Sequence, residues 1–443
     1  MGRLRAAIVE LRAGDLLAGE LGAADLLPLV AAAAIPVIFL HARYQAQLAA
    51  GPVDVFTSDL AIAAVVGAAF LSGLKLGWSP LGRGRALWIA AGALLGLFVI
   101  SCFWQPIETP TKHLVTAAKV IEYALLAPSI VLLFRRAVDL DRFLAVFAAW
   151  ALAAGVWGLL QFLGIVNEFE GRRTGQREVS FLGHQDLGSF TGAALVLGFA
   201  AIVLGERKWL GRLAIVGGML GVAIDASVFA FLGTVLGAGA ILLIGRRVGT
   251  LTLRRTLALG AILVAVGSGV YVLRGSDVSN YFSFLGLSKA AQTDTGVQTG
   301  SQRTMLLWIG YRMWVDHPVL GIGFERSNFD FQPYLAAAKK RFPGQPPESY
   351  PANSHRWGVQ NLYVELLADT GVVGFLLGIG TFVTGIVTAV RAVPRRAFVG
   401  AVATGWILVA CGTWNAIGII AGIPLDAVTW LGLGLGVVAW GVE

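Results

Sequence analysis

The side chains with chemical potential in this sequence fall into a few short stretches. Arg172, Arg173, Arg177, His184 and Asp186 are strung between residues 172 and 186. Arg303 stands near the start of "SQRTMLLWIGYRMWVDH", Arg326 follows the phrase "HPVLGIGFE", and His355, Arg356 and Asn361 come just before a long apolar run. Planar guanidinium groups grip phosphate oxygens through paired hydrogen bonds, so clustered arginines suit a diphosphate. A nearby histidine can take the proton of an attacking hydroxyl. The plainer reading of any one of these arginines is an ion pair with Glu168, Glu170, Glu178, Asp316 or Glu325, or contact with lipid headgroups. His317, ahead of Pro318, is expected to close a turn. His184 and Asp186 are expected to cap the helix that follows them. Asp225 reads either as an exposed turn residue or as a polar group near an acceptor.

These residues sit between long apolar runs. Of 443 residues, 56% are hydrophobic and 14% charged, and repeated runs of about eighteen or more apolar residues belong in lipid, so a polytopic membrane protein is implied. The formal charge of +8 does not point to nucleic acid, because lysine and arginine cluster in the short connections, as they do when they set orientation in a bilayer. Cys102 and Cys411 both lie in apolar segments, which argues against a disulfide framework or a thiolate metal site. Arg3, Arg5, Glu10, Arg12, Asp15 and Glu20 precede the first apolar run, so that run, rather than a cleaved leader, is expected to start insertion.

The expected fold is an all-α integral membrane protein of twelve spans, near 24–41, 57–76, 86–104, 115–134, 143–163, 184–204, 212–225, 227–244, 256–273, 362–390, 397–416 and 425–441. The stretch Leu210 to Gly245 would be about 54 Å long as one helix, against a hydrocarbon core of about 30 Å, so it reads as a hairpin turning at Asp225. With twelve spans, Arg83 and Arg85, "FRRAVDLDR", "GERKWLGR", "GRRVGTLTLRR" and "RAVPRR" all fall on one side, the cytoplasm, together with both termini. The chain then divides into nine spans over 1–273, a large external loop over 274–361 and three spans over 362–443. Within the loop, 301–317 reads as an amphipathic helix capped by Ser301 and stopped by Pro318. "HPVLGIGFE" reads as a tight turn, "SNFDFQPYLAAAKKR" as a second short helix, and "FPGQPPESYPANS" as an irregular connection. Lys119 and Glu122, three apart on the fourth span, read as an internal ion pair. External loop 42–56 holds only one acid, Asp54, and no paired carboxylates stand beside a span, so no metal cofactor is expected.

"QRTMLLWIGYRMWVDHPVLGIGFERSNF", followed by "NLYVELLADTGVVG", resembles the bacterial O-antigen ligase and polymerase superfamily. "RRTGQREVSFLGHQDLGSFTGAALVLGFA" is similar to that family's arginine-glycine phrase before the sixth span. The resemblance implies a GT-C-like, metal-independent glycosyltransferase of the bacterial plasma membrane with its site facing outside, expected to act as a monomer. Its implied partners are a polyprenyl-diphosphate-linked glycan donor and a glycolipid or glycan acceptor. Arg303 matches the family arginine that binds the donor diphosphate, and His355 is the candidate catalytic histidine. Two departures stand out. His355 lies six positions before Asn361 rather than beside it, and the family's Ser-Arg-Gly-Ala turn reads Ser227-Val228-Phe229-Ala230 here. Either Arg172 or Arg173 replaces the missing arginine, or the donor differs, or the chain is not a transferase. The alternative class is a secondary transporter or lipid-linked glycan flippase, for which twelve spans would form two repeated halves.

Overall fold

The computed structural model describes residues 23–50, 53–104, 110–167, 174–183, 185–284, 299–328, 330–343, 350–351, 358–419 and 422–441. Each of the twelve expected positions holds a helix. In chain order these are α1 (Ala23–Ile38), α2 (Thr57–Leu76), α3 (Arg85–Ser101), α4 (Pro110–Ala124) continued by α5 (Leu126–Leu133), α6 (Ala137–Phe162), α7 (Asp186–Leu204), α8 (Lys208–Asp225), α9 (Val228–Val248) and α10 (Leu253–Phe284). Two helices of the large loop follow, α11 (Thr299–Asp316) and α12 (Phe331–Arg341), then α13 (Leu362–Ala392), α14 (Ala397–Thr413) and α15 (Pro424–Val438). Among the described residues, eight helical stretches are long and apolar enough to cross a membrane, with α1, α14 and α15 apolar but shorter. The chain is therefore an α-helical, membrane-embedded protein. The described exception is a two-stranded antiparallel hairpin, β1 (Gln47–Ala50) with β2 (Val53–Phe56), in which Gln47 pairs with Phe56.

Small residues let these helices approach closely. A Cβ added to Gly412 of α14 would lie 2.4 Å from the Cα of Gly233 on α9, so this crossing is closed backbone to backbone. Helix α7 is the hub, with nearly every residue buried, and Trp406 of α14 donates its indole N–H to the Ala193 carbonyl at 2.9 Å. Phe39, Phe147, Phe190 and Trp406 meet there in tilted ring contacts. Helix α10 is the opposite case, with Val264, Tyr271 and Val272 exposed on its flank, as lipid-facing residues would be.

The basic connections meet at one end of the bundle. Arg207 pairs with Asp141 at 2.7 Å and lies over the Phe398 ring, Arg395 lies over Trp440, and Arg135 donates to the carbonyls of Leu76 and Gly77. Arg255 reaches back to the Val203 carbonyl at 3.0 Å. Residues 41–45, 178–183, 185–186, 225–227, 303, 361, 414–419 and 422–425 gather at the opposite, polar end, through bonds such as His41 N to the Phe181 carbonyl and Leu425 N to Asp186.

Four expectations are corrected. Helix α10 runs on to Phe284 rather than ending near residue 273, and α11 begins at Thr299, so Ser301 lies inside its first turn instead of capping it. Lys119 pairs with Asp59 of α2 at 2.5 Å rather than with Glu122, because its side chain crosses to the neighbouring helix. Helix α13 is not continuous: Gly371 has φ 65° and ψ −165°, a backbone state essentially confined to glycine.

Candidate functional site

The break in α13 frees the backbone groups on either side of it, and in an apolar setting each needs a partner. The "HPVLGIGFE" strap supplies them. Ile322 N donates to the Ala368 carbonyl at 2.9 Å and Gly323 N to the Asp369 carbonyl at 2.8 Å, while Val372 N donates to the Pro318 carbonyl at 2.9 Å. The carboxylate of Asp369, fully buried, accepts from Glu325 N and Ser327 N, both at 2.9 Å. A side chain at Gly321 would run into the Asp369–Thr370 peptide, which explains that glycine. The strap is thus a structural clamp, and His317 closes its turn through its carbonyl, which accepts from Gly321 N at 3.1 Å.

Helix α11 is fixed to this clamp by Leu306, Ile309 and Met313, which pack with Ile322, Phe331, Leu335 and Ala368. That packing sets the direction of Arg303. Its Nη1 donates to the Ala416 carbonyl at 2.6 Å. Asn361 caps α13 by accepting from Val364 N at 3.1 Å and donates to the Asn415 carbonyl at 3.2 Å. Glu365, one turn on and buried, accepts from Ile419 N at 3.0 Å. Arg303 and Asn361, two of the expected site residues, therefore meet on successive carbonyls of the 414–419 turn. Burial, and then the guanidinium of Arg274 beside it, push Arg303 down to about 10. Among the described residues no carboxylate pairs with Arg303; its hydrogen-bond partner is the Ala416 carbonyl.

Arg326 is placed differently. It pairs with Asp330 at 2.9 Å, so the plain ion-pair reading accounts for it. Glu325, next in the strap, approaches Nδ1 of His113 at 3.7 Å, and burial pushes its carboxyl above the ordinary range. Arg177 is half-buried in the arm 174–183, which threads into the bundle through Ser180 Oγ to the Ala154 carbonyl at 2.8 Å and Glu178 N to the Ile224 carbonyl at 3.1 Å. Asp186 does not cap its own helix; it accepts from Leu425 N at 2.9 Å and so caps α15. Asp225 is buried rather than an exposed turn residue, and beside it Ser227 Oγ donates to Gln185 Oε1 at 2.6 Å. Ser180, Gln185 and Ala226 all have positive φ at this junction, a local strain of about 1–3 kcal/mol each. His355, Arg356, Arg172, Arg173 and His184 lie outside the described residues.

Sequence reasoning missed Arg274 and Glu365. Arg274 sits beyond the apolar run of α10 and reads as a mere boundary; Glu365 lies inside "NLYVELLADTGVVG", where two acids, Glu365 and Asp369, within an apolar helix were the available signal. Among the described residues, no three His, Cys, Asp or Glu side chains converge as metal ligands. The sequence matches no protein-family model and no curated protein.

Proposed function

We propose that this chain is a membrane-embedded glycosyltransferase of the O-antigen ligase or polymerase type, which moves a glycan from a polyprenyl-diphosphate donor to a glycolipid or glycan acceptor. In this reading the bundle crosses the bacterial plasma membrane twelve times, with a GT-C-like arrangement. The gathered basic connections face the cytoplasm and the polar end faces outside, in keeping with the positive-inside tendency.

The observation that carries the reading is Arg303. A half-buried guanidinium, braced by a backbone carbonyl, set beside a second arginine and paired with no described carboxylate, favours a multiply charged anion over a neutral ligand. In the transfer, the acceptor oxygen attacks the anomeric carbon, the bond from that carbon to the diphosphate oxygen breaks, and the diphosphate leaves with the electron pair. Arg303 stabilises the charge that develops on it, and His355 takes the acceptor's proton. The transporter alternative gains no support from the break in α13, because the strap already satisfies the backbone groups that would otherwise face a substrate.

The test is glycan transfer from a polyprenyl-diphosphate donor by the protein in nanodiscs, with EDTA present. Loss of a charge-assisted contact in Arg303→Ala should lower kcat/KM about 10- to 100-fold. Arg303→Lys can keep the bond to the Ala416 carbonyl but not the paired grip, so it should hold the fold and recover little activity. His355→Ala should mainly slow kcat. Full activity in Arg303→Ala, or no turnover by the unmutated protein across several donors, sinks the reading.

A further inference from the structure

Two clefts open sideways from the helical bundle. The one between α9 and α10, about 540 Å³ in volume, is lined by Phe231, Leu263, Tyr271 and other groups without charge, so an acyl chain suits it whatever head the chain carries. The one between α2 and α4, about 720 Å³, is lined by Ile62, Val66, Gly67 and Phe70 of α2 and by Glu122 and Leu125 of α4, among others. Gly67, Phe70 and Leu125 are exposed at its rim, so it opens toward the bilayer. Both volumes lie within the range of about 300–1,000 Å³ that accommodates small ligands. Of the two, the α2–α4 cleft alone has a charged side chain in its wall.

Helices α2 and α4 are both tied to the polar end near their starts: Ser58 N donates to Gln45 Oε1 at 2.8 Å, and Tyr123 Oη donates to the Gly422 carbonyl at 3.2 Å. Asp59, in the first turn of α2, accepts from Phe56 N at 2.8 Å and pairs with Lys119, whose ammonium also lies 5.1 Å from the centre of the Phe56 ring. Both charges of that pair are thereby committed. Glu122 stands three residues further along α4, about 4.5 Å deeper, and among the described residues none bonds to it. Asp59, Lys119 and Glu122 sum to a single negative charge, and Val66, Phe70 and Leu125 continue the cleft beneath them as an apolar slot. An ionised carboxylate facing acyl chains is costly unless it meets a cation.

We propose that the α2–α4 cleft binds a membrane lipid whose head carries a primary ammonium, with the ammonium on Glu122 and one acyl chain along Val66, Gly67 and Phe70. The assignment stands apart from the transferase reading. A primary ammonium brings both the charge and the N–H donors that the carboxylate lacks, and charge-assisted bonds of this kind are the strong ones. The phosphate of the same head then lies higher, at the level of Lys119. An anionic lipid would instead set a further negative charge beside Asp59 and Glu122, and a trimethylammonium head has no N–H to give. Glycine at 67 keeps the slot open: a Cβ added there meets nothing within 4 Å, so a side chain at this position enters the cleft and no neighbouring helix.

Native mass spectrometry of the intact protein, delipidated in detergent and titrated with phosphatidylethanolamine, phosphatidylcholine or phosphatidylglycerol of the same acyl chains, tests the assignment. The tightest single adduct is expected with phosphatidylethanolamine, bound about tenfold more strongly than the other two. Glu122→Gln keeps the shape of the cleft and should abolish that preference. Gly67→Leu fills the slot and should weaken the adduct about tenfold or more, whereas Gly67→Ala should leave most of it. Size-exclusion profiles check that the variants fold. Equal binding of the three lipids by the unmutated protein, or a preference that survives Glu122→Gln, means that the cleft holds bulk lipid and overturns the proposal. A lipid-free dimer that Gly67→Leu dissociates would make the cleft an interface between copies of the chain, and overturns it too.

Discussion

Alanine at Gly371 and alanine at Gly380 are the same chemical change on the same helix, and they should have opposite consequences. At Gly371 the backbone has φ 65° and ψ −165°, and an added Cβ would stand 2.2 Å from the Val319 carbonyl oxygen and 2.5 Å from Leu320 N. Those are strap backbone atoms, which cannot rotate away as a side chain would. A non-glycine residue in this conformation costs about 1–3 kcal/mol, and overpacking adds a similar amount, so Gly371→Ala should destabilise by about 2–6 kcal/mol. At Gly380 the helix is regular and nothing lies within 4 Å of the new Cβ, so the change should be neutral or stabilise by up to about 1 kcal/mol. Unfolding of both variants in mixed micelles, followed by tryptophan fluorescence and titrated with denaturing detergent, gives the difference directly. Equal stabilities would show that α13 is continuous through residue 371 and that the strap is not threaded into it.

Asp369→Asn should cost about 1–3 kcal/mol in the same titration, because an amide can serve only one of the two N–H groups now bonded to the carboxylate and turns a donor toward the other. Glu325 has its folded value raised by burial, with Thr116, Lys112 and His113 facing it. The folded state therefore binds more protons than the unfolded one above the ordinary carboxylate value, and stability should fall as pH rises through that window. Glu325→Gln should flatten the fall; a variant that keeps the wild-type pH profile would assign it to another group. A cysteine placed at Lys340, in a chain otherwise free of them, should react with an impermeant maleimide from outside intact cells, and reaction from the cytoplasmic side alone would invert the proposed topology.

Much of the helical layout is legible because it follows from solvent. Apolar runs have no alternative to helix in lipid, and the excess length between Leu210 and Gly245 forces the turn that the structure puts at Asp225 and Ala226. Partners across helices are another matter. Lys119 and Glu122 satisfy the spacing rule for a pair on one helix, yet Lys119 faces α2 and takes Asp59, because the rule says which side chains can meet and not which acid a neighbour presents. The small β-hairpin at Gln47–Phe56 escaped notice for a related reason, since its pairing depends on where α1 and α2 deliver the chain.

The strap shows the same limit at the candidate site. Nothing within 362–390 demands a break at Gly371; the apolar pattern continues through it, and glycine alone is common in membrane helices. What stabilises the break is a segment some fifty residues earlier, whose N–H and C=O groups complete those of Ala368, Asp369 and Val372. Local pattern could therefore recognise "HPVLGIGFE" as a turn but not as the partner of a helix. The consequence reaches Arg303. Helix α11 packs on the strap through Ile322, the strap is bonded into α13, and α13 holds the 414–419 turn through Asn361 and Glu365, so the carbonyl that braces Arg303 and the helix that carries it are fixed by one connected set of contacts. A guanidinium held in that way loses little freedom on meeting an anion, which is the property a diphosphate site needs and which no count of arginines in the sequence could reveal.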